Sequence, residues 1–427
     1  MNKINNILII FMFIYSNAFA AENRIDGLRP DAPELAKPGN HNIGVRTLTL
    51  HHKDQLDAVN VGEEGPLPHY DRPLTVEIWY PANTLESGGA YNNVYLRDAK
   101  TQVTLYGNAV RDEQPLKANT PYPLVVISHG YPGNRLLMSH FGENLASKGY
   151  VVVSIDHTDS MYQDAGAFAS TLYNRPRDQL FILNEMKRLN ADKDHFLYGM
   201  VDADNAGLMG YSMGGYGALI TAGAGITEEV VNTVSVSPQK ILRALLEGTN
   251  EHKELVRKPL NYKAVIAFAP WGMERGFWSD TALAAIDLPM MFITGSEDET
   301  SGYETGTKAI YEKTTGTDRY LLTFANAGHN AIAPIPAPVE SWDARYNDGT
   351  SFAYTHYTDM VWDSIRANNI AQHFVTAYFG KYLKGDEANG SYLDLTPDGN
   401  VVTSEKPWKG FDDGTTKGLK MEFLPRD

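Results

Sequence analysis

Gly210-Tyr211-Ser212-Met213-Gly214-Gly215 follows the apolar run Ala206-Gly207-Leu208-Met209 and leads into the small-residue stretch Gly217 to Ala224. A short apolar strand ending in Gly-x-Ser-x-Gly and running into a helix has the form of a nucleophile elbow, in which the chain turns sharply at the serine. Glycines flank the turn because a side chain on either side would clash in so tight a bend. Ser212 is thereby presented where a base can reach its hydroxyl. A base, an acid and oxyanion donors must be found elsewhere in the chain.

Outward from this stretch, residues 123 onward alternate short apolar runs with helical patterns. The runs are Leu124 to Ser128, Val151 to Ile155, Gly207 to Tyr211, Ala264 to Ala269, Pro289 to Thr294 and Tyr320 to Phe324. Continuous apolar strands separated by helices are how a parallel sheet covered on both faces reads. Helices are expected at Leu136 to Lys148, Arg177 to Leu189, Tyr216 to Ala224 and Tyr303 to Lys313. A long amphipathic helix is expected over 359–384, with Val361, Ile365, Ile370, Phe374 and Phe379 on its apolar side. Before this region, Val45 to Leu50 and Leu74 to Tyr80 show period-two alternation and read as antiparallel opening strands. The expected fold is α/β, a mostly parallel central sheet with antiparallel N-terminal strands and helices on both faces.

Residues 1–20 carry Lys3, the apolar run Ile7 to Tyr15 and Ala18-Phe19-Ala20, the pattern of a secretory signal peptide. The run is too short to span a bilayer as a helix, which takes roughly 20 apolar residues, so stable membrane insertion is not expected. The chain has no cysteine, which fits a periplasmic or secreted protein without disulfides. A net charge of −15 repels nucleic acid and anionic membrane. Residues 21–43 read as an N-terminal arm and 44–384 as the main domain. Within it, 82–122 reads as an irregular surface excursion and 225–262 as a helical insertion that could be a lid. Residues 385–427 read as a C-terminal arm. Oligomeric state is left open.

A serine hydroxyl is a poor nucleophile until a base takes its proton. After the last strand comes Ala327-Gly328-His329-Asn330, which makes His329 the candidate general base. A third group must hold the imidazole, and Gly295-Ser296-Glu297-Asp298-Glu299 follows the strand before it. Asp298 is favoured because three residues past Gly295 suffice to turn back toward the histidine, with Glu297 as the alternative. A developing oxyanion needs backbone amides. Ser128-His129-Gly130-Tyr131-Pro132-Gly133 supplies the N–H of Tyr131, and the residue after the serine supplies that of Met213. His157 and Asp159, at a strand end, read as packing or loop hydrogen-bonding residues. His51, His52 and Asp54 offer no metal-ligand spacing, and neither a metal nor a cofactor is implied.

The ordered set Ser128-His129-Gly130, Gly210-x-Ser212-x-Gly214, Gly295-x-x-Asp298 and Gly328-His329 resembles the α/β-hydrolase superfamily. The stretch from Pro123 to Thr158 resembles the branch holding platelet-activating-factor acetylhydrolases and dienelactone-hydrolase-like proteins. Two departures qualify it. Dienelactone hydrolase uses a cysteine nucleophile, absent here, and the acetylhydrolases carry their acid where this chain has Phe268-Ala269-Pro270-Trp271. That run, with Tyr131, Met213 and Asp298, is similar to cutinase-like polyester hydrolases, in which the matching aromatic pair clamps the acyl part of an ester. The resemblance implies that Tyr131 and Trp271 bind substrate, with a core role for Trp271 as the alternative. It implies a serine esterase acting on small or polymeric esters with short-acyl, lipid-like or aromatic groups. A peptidase or amidase on the same residues and a non-catalytic binding protein are the other readings.

Overall fold

The computed structural model describes residues 22–166, 168–233, 238–257, 262–403 and 407–427. The expected signal peptide, 1–20, lies outside the described residues. The main sheet is built from β1 (Ile43–Leu56), β2 (His69–Pro81), β3 (Tyr122–Ser128), β4 (Val151–Asp156), β5 (Val201–Tyr211), β6 (Tyr262–Phe268), β7 (Met290–Gly295), β8 (Arg319–Phe324) and β9 (Leu419–Leu424). Their order across the sheet is β9-β8-β7-β6-β5-β3-β4-β2-β1, with Val110–Arg111 added beside β1. The contiguous block from β8 to β4 is parallel, while β9, β2 and β1 run antiparallel to their inner neighbours.

Alternate residues of the inner strands enter different cores. On β3, Val125 and Ile127 pack on one side of the sheet and Leu124 and Val126 on the other. Burial on both faces is why these strands read as unbroken apolar runs. One face is covered by α1 (Ser139–Ser147) and the long helix Ser364–Lys384, the other by α2 (Phe168–Ala191) and α3 (Met213–Ala222). α2 starts well before the expected Arg177 because it runs through Pro176. Proline removes one helical donor, and the carbonyl it leaves free, that of Leu172, accepts from the Tyr216 hydroxyl at 3.2 Å.

Two expectations are corrected. Residues 82–122 are not a mere surface excursion: Gly89–Tyr95 and Gln102–Gly107 pair as a hairpin, joined by Asn23–Arg24 from the N-terminal arm. Tyr91, Val94, Leu96, Val103 and Leu105 are buried in the core beneath it. A bulge between Tyr91 and Val94 breaks the period-two pattern that would have revealed the strand. The Tyr91 hydroxyl donates to Glu143 Oε1 at 2.6 Å and accepts from Trp79 Nε1 at 2.7 Å. Tyr91→Phe leaves both partners short of a bond inside the core, so it is expected to lower unfolding stability by about 1–3 kcal/mol. Urea titration checks this, and an unchanged midpoint would mean the contact carries no weight.

The long helix begins at Ser364 rather than 359, capped by Asp363, whose side chain accepts from the Arg366 N–H. Val361, placed on its apolar face from sequence, is 64% exposed. The five preceding residues serve a different purpose. Asp359 accepts from the N–H groups of Val361 and Trp362 through Oδ1 and from the Gly328 N–H through Oδ2. It thus ties down the loop that carries His329.

Candidate active site

Ser212 sits at φ 52° and ψ −110°, between β5 and α3. A non-glycine residue pays for such a conformation, and it persists only where its surroundings enforce it. Here they do. A Cβ on Gly210 would lie 2.2 Å from the Gly214 carbonyl oxygen, and one on Gly214 would lie 2.0 Å from that of Ser128. The first helical turn is therefore pressed against the strand ends, and the serine is left at the crest of the bend.

Parallel pairing brings the carboxyl ends of β5 to β8 to one edge of the sheet, where open α/β sheets form their sites. Ser212 Oγ lies 3.0 Å from His329 Nε2, and His329 Nδ1 lies 2.9 Å from both carboxylate oxygens of Asp298. Asp298 is buried and its Oδ1 also accepts from the N–H groups of Thr300 and Ser301 at 2.9 and 2.8 Å. Glu297 is exposed, and its carboxylate accepts from Ser296 at 3.4 Å. Of the two acids weighed from sequence, the structure brings Asp298 to the imidazole. A carboxylate on Nδ1 holds the proton there, so Nε2 can accept the serine proton.

The proposed oxyanion donors are oriented through their carbonyls. In a trans peptide unit the C=O and the following N–H point in opposite directions. The Gly130 carbonyl, which shares a unit with Tyr131 N–H, accepts from Arg175 Nη2 at 2.9 Å and is 2.7 Å from His129 Nδ1. Arg175 also donates to the His129 carbonyl. The Ser212 carbonyl, which shares a unit with Met213 N–H, accepts from the N–H groups of Tyr216 and Trp271 at 2.9 and 3.2 Å. Both carbonyls are engaged by protein donors, which fixes the orientation of the two peptide units and so of the N–H groups of Tyr131 and Met213. Burial lowers the Arg175 guanidinium to about 9, still above neutrality, so a cation polarises the Gly130 unit.

Arg175, Asp178 and Gln179 were not singled out from sequence, whereas His157 was read there as a packing or hydrogen-bonding residue. They belong to a buried polar layer behind the loop 128–133, containing a second serine, histidine and aspartate in hydrogen-bonded series. Ser128 Oγ lies 2.8 Å from His157 Nε2, and His157 Nδ1 lies 2.9 Å from Asp178 Oδ2. Gln179 Nε2 donates to Ser128 Oγ and to the Gly214 carbonyl, both at 3.0 Å. Ser128 and Asp178 are fully inaccessible, so no substrate reaches this series. It joins the oxyanion loop to the first turn of α3.

His129, His140, His157, His356 and His373 are all pushed down chiefly by burial, His140, His157 and His373 to about 3. In the unfolded chain an imidazole titrates near 6.5. Below that pH the unfolded state binds protons that the folded state refuses, so stability is complete above about 6.5 and falls as pH drops. Each such histidine contributes a slope of about 1.4 kcal/mol per pH unit well below 6.5. Burial raises Glu143, Asp156 and Asp164, which offsets part of this nearer pH 4. Urea midpoints are expected to be level from pH 8 to 7 and to fall between pH 6.5 and 5. A midpoint level down to pH 5 would contradict this balance.

A cavity of about 180 Å³ opens beside the serine, lined by Ser212, His329, Tyr131, Arg97, Tyr346 and His356, among others. Its far wall comes from the 89–107 hairpin and from the stretch between β8 and the long helix. No described residue of 225–262 lines it. That segment packs on the other side, with Leu242 and Leu245 in the core and Ile241 against Leu56, Ala58 and Val61. Trp271 is not in the cavity lining. Its ring packs edge-on against Phe168 and Phe277 at 5.6 and 5.2 Å, and Phe168 in turn meets Tyr131 at 5.3 Å. Phe168 therefore stands between the two aromatic residues named from sequence. No group of side chains suited to hold a metal ion occurs among the described residues. Nor is any described helix long and apolar enough to cross a membrane.

Residues 99–244 match the family model described as PET hydrolase-like. The cutinase est1 of Thermobifida alba is 24% identical over 217 residues, covering 50% of this chain and 56% of that protein. The platelet-activating factor acetylhydrolase of Cavia porcellus is 36% identical over 146 residues, 31% of this chain and 32% of that one. Dipeptidyl peptidase 8 of Mus musculus is 26% identical over 178 residues, 40% of this chain and 17% of that one. The chain thus spans about half the length of the cutinase and less of the others. With its large, mostly parallel sheet, the chain has a mixed α/β architecture consistent with the α/β-hydrolase fold, and over the matched stretches it is similar to PET hydrolase-like proteins, the cutinases and the acetylhydrolase.

Proposed function

We propose that the chain is an exported serine-dependent carboxylic ester hydrolase. The observation that carries this reading is the unbroken series from Ser212 Oγ through His329 to the buried Asp298. His329 takes the proton of Ser212 as the oxygen attacks the ester carbonyl. The N–H groups of Tyr131 and Met213 receive the negative charge that develops on the carbonyl oxygen. Protonated His329 then gives its proton to the departing alcohol, leaving an acyl group on Ser212. Water, activated by the same imidazole, attacks the acyl carbonyl and restores the serine. Tyr131 lines the cavity beside Ser212 and offers the aromatic surface along which an acyl or aromatic group would lie, with Phe168 and then Trp271 packed behind it. The similarity to cutinases supports small and polymeric esters as the substrate class.

A fluorophosphonate probe is expected to label the purified protein at Ser212, and a short 4-nitrophenyl ester to be cleaved much faster than the matching anilide. No labelling would leave a binding protein on a hydrolase scaffold. Faster anilide cleavage would favour a peptidase, the reading to which the dipeptidyl peptidase similarity lends support. Export follows from the N-terminal pattern alone, and would be refuted if the purified extracytoplasmic fraction lacked the protein.

A further inference from the structure

The candidate cavity contains an unexpected charge. Arg97 lies on the turn between Gly89–Tyr95 and Gln102–Gly107, and its guanidinium carbon stands 4.7 Å from the centre of the Tyr346 ring. No carboxylate is among the residues lining the cavity, and Arg97 has no ion pair or side-chain hydrogen bond among the described residues. Its neighbour Asp98 is already used, accepting from the N–H groups of Lys100 and Thr101 and from the Thr101 hydroxyl. Among the acids around His329, Asp298 and Glu299 accept from its ring and its backbone N–H, and Asp359 accepts from the Gly328 N–H. In the same lining, His356 Nε2 is buried without a hydrogen-bond partner among the described residues. The Arg97 charge helps to keep this imidazole unprotonated.

In a chain with 52 acidic and 37 basic side chains, an unpaired guanidinium beside the reactive serine calls for a partner. The planar fork suits two oxygens of one anionic group. The cation–π contact with the Tyr346 ring holds the guanidinium in the cavity, which lowers the ordering cost when such a group binds. We infer that Arg97 is a substrate-binding residue for an anionic oxygen group, and that the preferred ester carries a carboxylate or phosphate on the half of the molecule lying toward Tyr346 and His356. This rests on the ester hydrolase reading of Ser212 and narrows it from neutral to acidic esters.

The full chain is tested with two pairs of esters. One places a carboxylate on the acyl half, mono-4-nitrophenyl glutarate against 4-nitrophenyl pentanoate. The other places it on the alcohol half, 4-carboxyphenyl butyrate against phenyl butyrate. In at least one pair the anionic ester is expected to have a kcat/KM at least tenfold higher, mainly through KM, with the advantage shrinking as salt rises. Arg97→Gln is expected to lower the anionic-to-neutral ratio at least tenfold, and Arg97→Lys to recover part of it. Loss of inhibition in Arg97→Gln by benzoate or by phenyl phosphate tells which anion the site takes. A neutral preference in both pairs, or a ratio unmoved by Arg97→Gln, overturns the inference while leaving the ester hydrolase in place. A protein that cleaves no ester and resists the fluorophosphonate overturns both.

Discussion

Ser212→Ala is expected to lower kcat/KM toward a short 4-nitrophenyl ester by about 10⁶, and Asp298→Asn by about 10⁴. The first removes the attacking atom. The second is more telling, because the shape of the site hardly changes. Asp298 Oδ1 accepts from the N–H groups of Thr300 and Ser301, so an asparagine would turn its carbonyl oxygen toward these donors. Its NH₂ would then face His329 Nδ1 in place of Oδ2. An imidazole facing a donor at Nδ1 must carry its proton on Nε2, and it can no longer accept from Ser212. Glu297→Gln is the control: that carboxylate is exposed and does not touch the imidazole, so activity should stay within about twofold, as for most surface changes. Steady-state kinetics with urea titration of each variant checks the set. If Glu297→Gln lost as much as Asp298→Asn, the acid would have been misassigned.

The three side chains that meet at the candidate site were legible in the sequence because each is fixed by local backbone demands. Gly210 and Gly214 must be glycine for the elbow to close, and the acid and histidine follow strand ends whose apolar runs stand out. The parallel part of the sheet was legible for the same reason. The surroundings were not, because they are assembled from chain segments far apart. Arg97 comes from a hairpin whose bulge and polar Asn92-Asn93 disguised it, and Tyr346 and His356 come from a stretch with little regular structure. Arg175 sits beside Pro176, just outside the helix expected from Arg177. The helix nevertheless runs back through the proline, with the Tyr216 hydroxyl satisfying the carbonyl that proline leaves free, and so carries Arg175. Trp271 shows the limit of pattern matching, since its position relative to Tyr131 depends on Phe168, which no motif includes.

Arg175→Met is expected to lower kcat by about 10² to 10³ with little change in KM, the loss associated with one misplaced oxyanion donor. Arg175 never meets the substrate, being fully buried behind the loop. It acts through the Gly130 and His129 carbonyls, to both of which it donates. Without it the Gly130–Tyr131 unit keeps only the His129 imidazole on its carbonyl and is free to rotate, so Tyr131 N–H loses its aim and its polarisation. Leaving the buried carbonyls short of a donor also costs about 1–3 kcal/mol of stability for each. Reduced activity alone would therefore not separate positioning from unfolding. Two measurements do. Arg175→Lys keeps the charge but cannot serve two carbonyls in the same plane, and should recover stability more than kcat. Affinity for a boronic acid, which forms a tetrahedral adduct on Ser212 and needs the same amides, should fall in parallel with kcat/KM across the series. A folded Arg175→Met protein with undiminished boronate affinity would show that Tyr131 N–H is held by the loop itself.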